Sequence, residues 1–248
     1  MNNWMVILIS GITSIGISFY AIVLKPAIQL TQIRPLPLGA GETYPSPRPG
    51  SALIGMQTYR SLGCYYCHTR IVKPYQFGSD YERGWGFRRA VARDYIADNP
   101  PLLGSTRLGP DLMNIASRAP EKYAVKWSFS STNKTEQSIQ KKARFLLILY
   151  DPRLLNPDSI MPSYKYLFSE QNQYSKDALN PQARGIFLFK SNQIIPGDKA
   201  ERLADFLDSM KYEQPLYEAP APPEPMNVIN RPSALTNVFK NNTSDLPK

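Results

Sequence analysis

Apolar and polar positions divide the chain into unlike stretches. Residues 4–24, WMVILISGITSIGISFYAIVL, run without a single charge. About 20 apolar residues let an α-helix cross a bilayer, so this segment predicts one transmembrane helix. Residues 26–50 are crowded with Pro and Gly, which predicts an extended linker. Apolar positions then return at helical spacing: Ala52, Met56, Tyr59 and Leu62 or Gly63 predict a helix that runs directly into SLGCYYCHTR at 61–70. Residues 69–110 read as irregular, with many aromatics and arginines. DLMNIASRA, from Asp111, predicts a short helix ended by Pro120. The polar stretch 128–142 reads as a loop. ARFLLILY at 143–150 predicts an apolar helix halted by DPRLLNP. A polar, Tyr-bearing segment reaches to about residue 198. KAERLADFLDSMKY at 199–212 then predicts the last helix, with Leu203, Phe206, Leu207 and Met210 on its apolar face. Beyond 214 the chain is Pro-rich and aperiodic, predicting an extended tail that orders only against a partner. The pattern as a whole predicts an all-α protein in four parts: an anchor at 1–25, a linker at 26–50, a helical domain with long irregular insertions at 51–213, and a tail at 214–248.

The charges around the first segment decide how it is read. A cleaved signal peptide needs a basic n-region, a shorter apolar core and a small-residue cleavage site. No Lys or Arg precedes residue 25, and Lys25-Pro26 stands where an A-x-A would be expected. The segment is therefore expected to be retained as a single-pass anchor. Lys25 and Arg34 follow the helix and weakly favour a cytoplasmic C-terminal side. The chemistry considered next argues for the opposite orientation.

Composition removes several classes. The formal charge is +9, from 29 Lys and Arg against 20 Asp and Glu, but the basic residues are scattered among carboxylates. Nucleic-acid binding wants a dense basic stripe or a known module, and neither is present. A solvated surface or an acidic protein partner fits the charge better. The chain has two cysteines, too few for a disulfide scaffold, and one histidine. No internal repeat is visible.

Those two cysteines and that histidine lie together: Cys64, Cys67 and His68 form C-x-x-C-H. In this motif both thiols add to haem vinyl groups and the His becomes an axial iron ligand. A redox dithiol needs no His at that place, and no βαβ pattern surrounds the motif. Structural zinc takes four ligands, and only three Cys or His exist here. Two buried thiols and a core histidine side by side are the plain alternative. The five-residue match favours one covalently attached haem c on Cys64 and Cys67, with His68 on the iron. Haem attachment to this motif takes place outside the bacterial cytoplasm. The haem domain is thus expected on the periplasmic, outer face of the cell membrane, against the vote of Lys25 and Arg34.

With one histidine used, the opposite axial position falls to a methionine, a weaker ligand or none. Of seven methionines, Met1 and Met5 lie at the anchor, Met56 precedes the motif and Met226 lies in the tail. Met113 and Met210 fall on predicted helices, where core packing accounts for them. Met161 lies in the loop NPDSIMPSYKY, where Pro162 holds the residue before it extended. Met161 is the favoured second axial ligand and Met113 the runner-up. His/Met ligation raises the potential and leaves no open coordination position, which suits electron transfer. RLGPDL at 107–112 places Arg107 and Pro110 in the haem environment. The Pro110 carbonyl can accept the Nδ1 proton of His68, fixing the ring.

GCYYCHTRIVKPY, DYERGWG, PPLLGSTRLGPDL and LYDPRLLNPDSIMPSYKYLF occur in this order. Together they resemble the membrane-anchored mono-haem subunit, CcoO or FixO, of cbb3-type cytochrome oxidases. The resemblance covers the anchor and residues of about 50 to 210. It implies a class I-like cytochrome c domain, haem c on Cys64 and Cys67, and axial His68 and Met161. It also implies a catalytic haem–copper subunit as electron acceptor, with other c-type cytochrome subunits in the same membrane complex. The chain would then be an electron-transfer subunit of an oxygen-reducing oxidoreductase complex. One histidine cannot build a haem–copper centre, so it would not be catalytic on its own. The small cytochrome subunit of a nitric oxide reductase shares the anchor-plus-monohaem plan. A membrane-tethered thiol oxidoreductase is the alternative from another class.

Overall fold

A computed structural model of the 248-residue chain describes residues 3–39, 41–118, 134–171, 187–189 and 192–221. The described residues fall into two compact units. One is Met1–Pro47 with Val91–Pro101, and the other is Arg48–Ala90 with Leu102–Lys248.

The first unit begins with a helix longer than the sequence predicts. It runs from Asn3 to Thr31, 29 residues, about 43 Å at 1.5 Å per residue. This is the one helix among the described residues long and apolar enough to cross a membrane. It comprises α1 (Asn3–Phe19), a π-helical turn (Tyr20–Leu24) and α2 (Lys25–Thr31). Pro26 was expected to begin an extended linker. It instead sits in the first turn of α2, where a missing N–H and a fixed φ are tolerated. The π turn just before it, closed by Lys25 N–H donating to the Tyr20 carbonyl, widens the backbone so that the helix continues through the proline. The rest of the expected linker holds a hairpin, with β1 (Leu36–Gly39) antiparallel to β2 (Glu42–Tyr44). In the same unit the Tyr44 hydroxyl donates to buried Asp94 at 2.5 Å.

The second unit is built on three helices: α3 (Gly50–Ser61), α5 (Lys134–Tyr150) and α6 (Asp198–Asp208), with the single turn α4 (Cys64–Cys67) between the first two. The predicted apolar face of α6 is the buried one: Leu203 and Phe206 are fully enclosed, as is Met210 just beyond the helix. It packs on α3, with Tyr59 and Phe206 edge to face at 5.3 Å. The two backbones meet at Gly55. A Cβ there would lie 1.8 Å from the Arg202 carbonyl oxygen and 2.8 Å from the Phe206 Cβ. Gly55→Ala therefore pushes against backbone rather than a movable side-chain tip. We expect a loss of about 1–3 kcal/mol, the usual range for overpacking, read as a lowered Tm of the full chain. An unchanged Tm would show that the helices separate without penalty.

Three stretches depart from the sequence reading. Residues 111–118 form successive turns, not a helix, because their donors go elsewhere. Met113 N–H donates to the Asp111 carboxylate at 2.9 Å and Ala116 N–H to the Met210 carbonyl at 3.4 Å. Residues 134–142, read as loop, belong to α5; their run of Glu, Gln and Lys has high helix propensity. Lys142 pairs with Asp205 of α6 at 2.8 Å. The helical domain also carries a small antiparallel sheet in the order β3 (Phe168–Gln171), β5 (Asn192–Pro196), β4 (Phe187–Phe189). The expectation of helices alone thus gives way to a helical chain with short strands. Part of the tail is also seated on its own unit: Arg88 Nε donates to the Gln214 carbonyl and Arg89 to that of Glu218, with Leu216 and Ala219 buried. Residues 222–248, which hold the remainder of the predicted tail, lie outside the described residues.

Candidate functional site

The three chemistry-bearing residues are presented by a change of backbone direction at the end of α3. Gly63 takes φ +71°, a conformation glycine enters freely, and turns the chain into the single turn Cys64–Cys67. Its hydrogen bonds run from Tyr66 N–H to the Gly63 carbonyl (2.9 Å) and from His68 N–H to the Cys64 carbonyl (3.0 Å). His68 leaves this turn in an extended conformation (φ −118°, ψ 135°). Residues 102–112 run beside it. Arg70 N–H donates to Leu103, Gly109 N–H to Cys67 and Leu112 N–H to Thr69, at 2.8 to 3.0 Å.

This pairing places the Pro110 carbonyl 2.8 Å from His68 Nδ1, as the sequence reading expected. A carbonyl can only accept, so Nδ1 carries the proton and Nε2 keeps its lone pair. Burial holds the imidazole below its ordinary pKa. The Pro110 hydrogen bond and the Asp111 charge pull it back up, and Arg118 adds to the lowering. A neutral imidazole with its Nε2 lone pair available is the form that binds metals. Gly109 lies against this ring: a Cβ there would be 2.2 Å from His68 Cε1.

The ring borders a cavity of about 380 Å³. Cys64, His68 and Pro110 line one part of it. Phe145, Ile148 and Leu149 of α5, Leu203 and Leu207 of α6, and Met161 complete most of the wall. Met161 stands on a loop held to α5 by Tyr164 N–H donating to the Leu149 carbonyl at 2.8 Å. Its own N–H donates to Ser159 Oγ at 3.3 Å. Met113 and Met210 are sealed in the core, 1% and 0% exposed, and neither lines the cavity. Met226 lies outside the described residues.

Cys64 lines the cavity, while Cys67 is half-buried and is not part of its wall. Burial pushes the Cys64 thiol up to about 11, despite a hydrogen bond with the Tyr164 hydroxyl. Burial, and then the neighbouring Cys64, raise that hydroxyl to about 12. A dithiol enzyme needs the reverse, a thiol depressed toward neutrality. Among the described residues no cluster of three or more His, Cys, Asp or Glu offers a zinc site. The donors that do share the cavity are an imidazole nitrogen and a thioether sulfur, within a largely apolar wall and next to a thiol. That is a donor set haem iron accepts.

Arg107 is placed differently from Pro110. It is not in the cavity wall: its guanidinium forks onto Asp80, at 2.5 and 2.8 Å, and reaches the Ile71 carbonyl at 2.6 Å. Sequence reasoning gave no site role to Asp80, Trp85, Asp111 or Arg118. The signal was buried charge, and burial is not visible in a sequence read as irregular loop or as a short helix.

Residues 42–148 match the family model described as cytochrome C oxidase, mono-heme subunit/FixO. No curated protein matches the chain significantly. The matched segment contains α3, the Cys64–His68 turn, the Arg107–Asp111 stretch and most of α5, and ends before Met161. It carries the imidazole, both thiols and the carbonyl that orients the ring, and over these residues the chain is similar to the FixO family of mono-haem cytochrome c oxidase subunits, a family of haem proteins.

Proposed function

We propose that this chain is a membrane-anchored c-type cytochrome of class I-like plan. In this reading it passes single electrons to the catalytic haem–copper subunit of a cbb3-type terminal oxidase, alongside other c-type cytochrome subunits. The anchor is the helix Asn3–Thr31, and the second unit faces the periplasm. The observation that carries the reading is one cavity shared by His68, Met161 and Cys64, in a chain whose matched family is the mono-haem oxidase subunit.

Haem c, when bound, supplies a one-electron iron couple. The chain's residues do the rest. Cys64 and Cys67 would hold the group through thioethers, each thiol contributing its sulfur and hydrogen across one vinyl bond, which needs no oxidant. His68 offers Nε2 to the iron because Pro110 holds the proton on Nδ1. Met161 offers a soft thioether that favours the ferrous state. The largely apolar wall would limit water around the group and so favour a higher potential.

Met161→Ala tests the reading. Haem stays attached, and the reduction potential falls by well over one decade of the ferric/ferrous ratio, at about 59 mV per decade. The weak red absorption band of a methionine–iron bond disappears. Persistence of that band would show that Met161 is not the ligand. Copurification of a copper-bearing catalytic subunit supports the oxidase, whereas a partner with non-haem iron would make the chain a nitric oxide reductase subunit.

A further inference from the structure

Pro110, whose carbonyl orients His68, is followed by Asp111, a fully buried carboxylate. Its Oδ2 accepts from Thr69 Oγ1 and from Ile71 N–H, both at 2.7 Å, and its Oδ1 from Met113 N–H at 2.9 Å. One side chain thus ties the segment just after His68 to the segment just after Pro110. Two guanidinium groups approach the same carboxylate, Arg107 at 3.9 Å and Arg118 at 3.8 Å. Arg107 also forks onto Asp80, which accepts Lys73 N–H at 2.7 Å. Both guanidiniums lie over the Trp85 ring, 5.4 and 5.7 Å from its centroid.

Four charges of alternating sign thereby lie next to the segments that hold His68, and three of them are enclosed. The side chains of Asp80, Asp111 and Arg118 are 2%, 0% and 6% exposed. Stability alone does not account for them, because burying ion pairs gains little over apolar packing of similar volume. Their distinguishing property is electrostatic: charges shielded from water act on a neighbouring site far more strongly than surface charges do.

We propose that Asp111 is a positioning residue for His68, and that the Asp80–Arg107–Asp111–Arg118 cluster sets the reduction potential of the iron that His68 holds. The inference rests on the haem reading given above. The signs follow from charge. The ferric state carries one more positive charge than the ferrous. Removing the Asp111 anion disfavours it and raises the potential. Removing the Arg118 cation favours it and lowers the potential.

The test is a redox titration of the haem c absorption in the complex purified from membranes in mild detergent, with haem content measured as the pyridine haemochrome. Asp111→Asn shifts the ferric/ferrous equilibrium about tenfold toward ferrous, and Arg118→Gln about tenfold toward ferric, roughly 59 mV in each direction. Arg118→Lys keeps the charge and stays near the wild-type potential. If Asp111→Asn fails to accumulate, the two Arg118 variants decide the matter. Equal potentials for Arg118→Gln, Arg118→Lys and wild type, with haem in place, overturn the inference and leave the cluster purely structural. Absence of haem c from the wild-type chain overturns the haem reading itself.

Discussion

A chain in which Cys64 and Cys67 are both replaced by alanine is expected to reach the membrane and carry no covalent haem. The anchor lies in the other compact unit and has no part in the attachment chemistry, so insertion should persist. The core contact between α3 and α6 is likewise independent of the thiols: it rests on Gly55, Tyr59 and Phe206. What is lost is both covalent links. His68 can still offer Nε2, but a cavity of about 380 Å³ then has to retain the group by ligation and apolar contact alone. Covalent haem survives denaturation and non-covalent haem does not. The readout is therefore haem-dependent peroxidase staining at about 28.0 kDa after denaturing electrophoresis. The expected result is complete loss of stain with the chain still present in the membrane fraction. Undiminished staining would mean that Cys64 and Cys67 are ordinary thiols and that the motif is coincidental.

What the sequence made legible were features written within a few residues. The uncharged run at 4–24, the spacing of Ala52 to Leu62 and the apolar stripe of α6 each need only local pattern. Each corresponds to an observed helix. The same holds for the Cys64–His68 turn and for Gly109-Pro110. What stayed hidden depends on partners far along the chain. Residues 111–118 have helical periodicity, yet Ala116 N–H goes to Met210, and Asn114 joins Trp85 to Tyr212 through its side chain. Such donors leave the helix for partners that no local window contains. The sheet was missed for a different reason. Strands of three to five residues, Phe187–Phe189 and Asn192–Pro196 among them, are too short for alternation to stand out from loop. Pro26 misled because its usual effect was absorbed by one π turn.

The site shows the same division. Residue types pointed to the candidate ligands, but what holds those side chains in place lies in residues with no motif of their own. Arg107 illustrates this. The sequence reading gives it only a place in the haem environment, and the structure shows its guanidinium on Asp80 and the Ile71 carbonyl. Met161 illustrates the converse. Its loop position and the following proline were the grounds for choosing it, and the cavity wall includes it while Met113 and Met210 are sealed in the core.

Gly109→Ala is expected to disturb the iron ligation while leaving haem covalently attached. The added methyl would sit 2.2 Å from His68 Cε1, 2.7 Å from Nδ1 and 2.8 Å from Nε2, all well inside contact distance. A flexible side chain could swing away, but this ring is held by the Pro110 carbonyl at 2.8 Å. The backbone of residue 109 is equally constrained, since its N–H donates to the Cys67 carbonyl at 3.0 Å. One of these contacts has to yield. Moving the ring withdraws Nε2 from the iron, and moving residue 109 breaks the pairing that brings Pro110 to Nδ1. Either way, on the proposed haem reading, His68 loses its fixed orientation while the thioethers at Cys64 and Cys67 persist. The haem stain should therefore persist at wild-type strength. The ferric spectrum should shift from low spin toward high spin, and electron transfer to the oxidase should fall by tenfold or more, the scale on which loss of a ligand-orienting partner acts. A low-spin spectrum and unchanged oxidase turnover in this variant would show that the ring has room to move, and that the close approach of Gly109 does not fix the ligand.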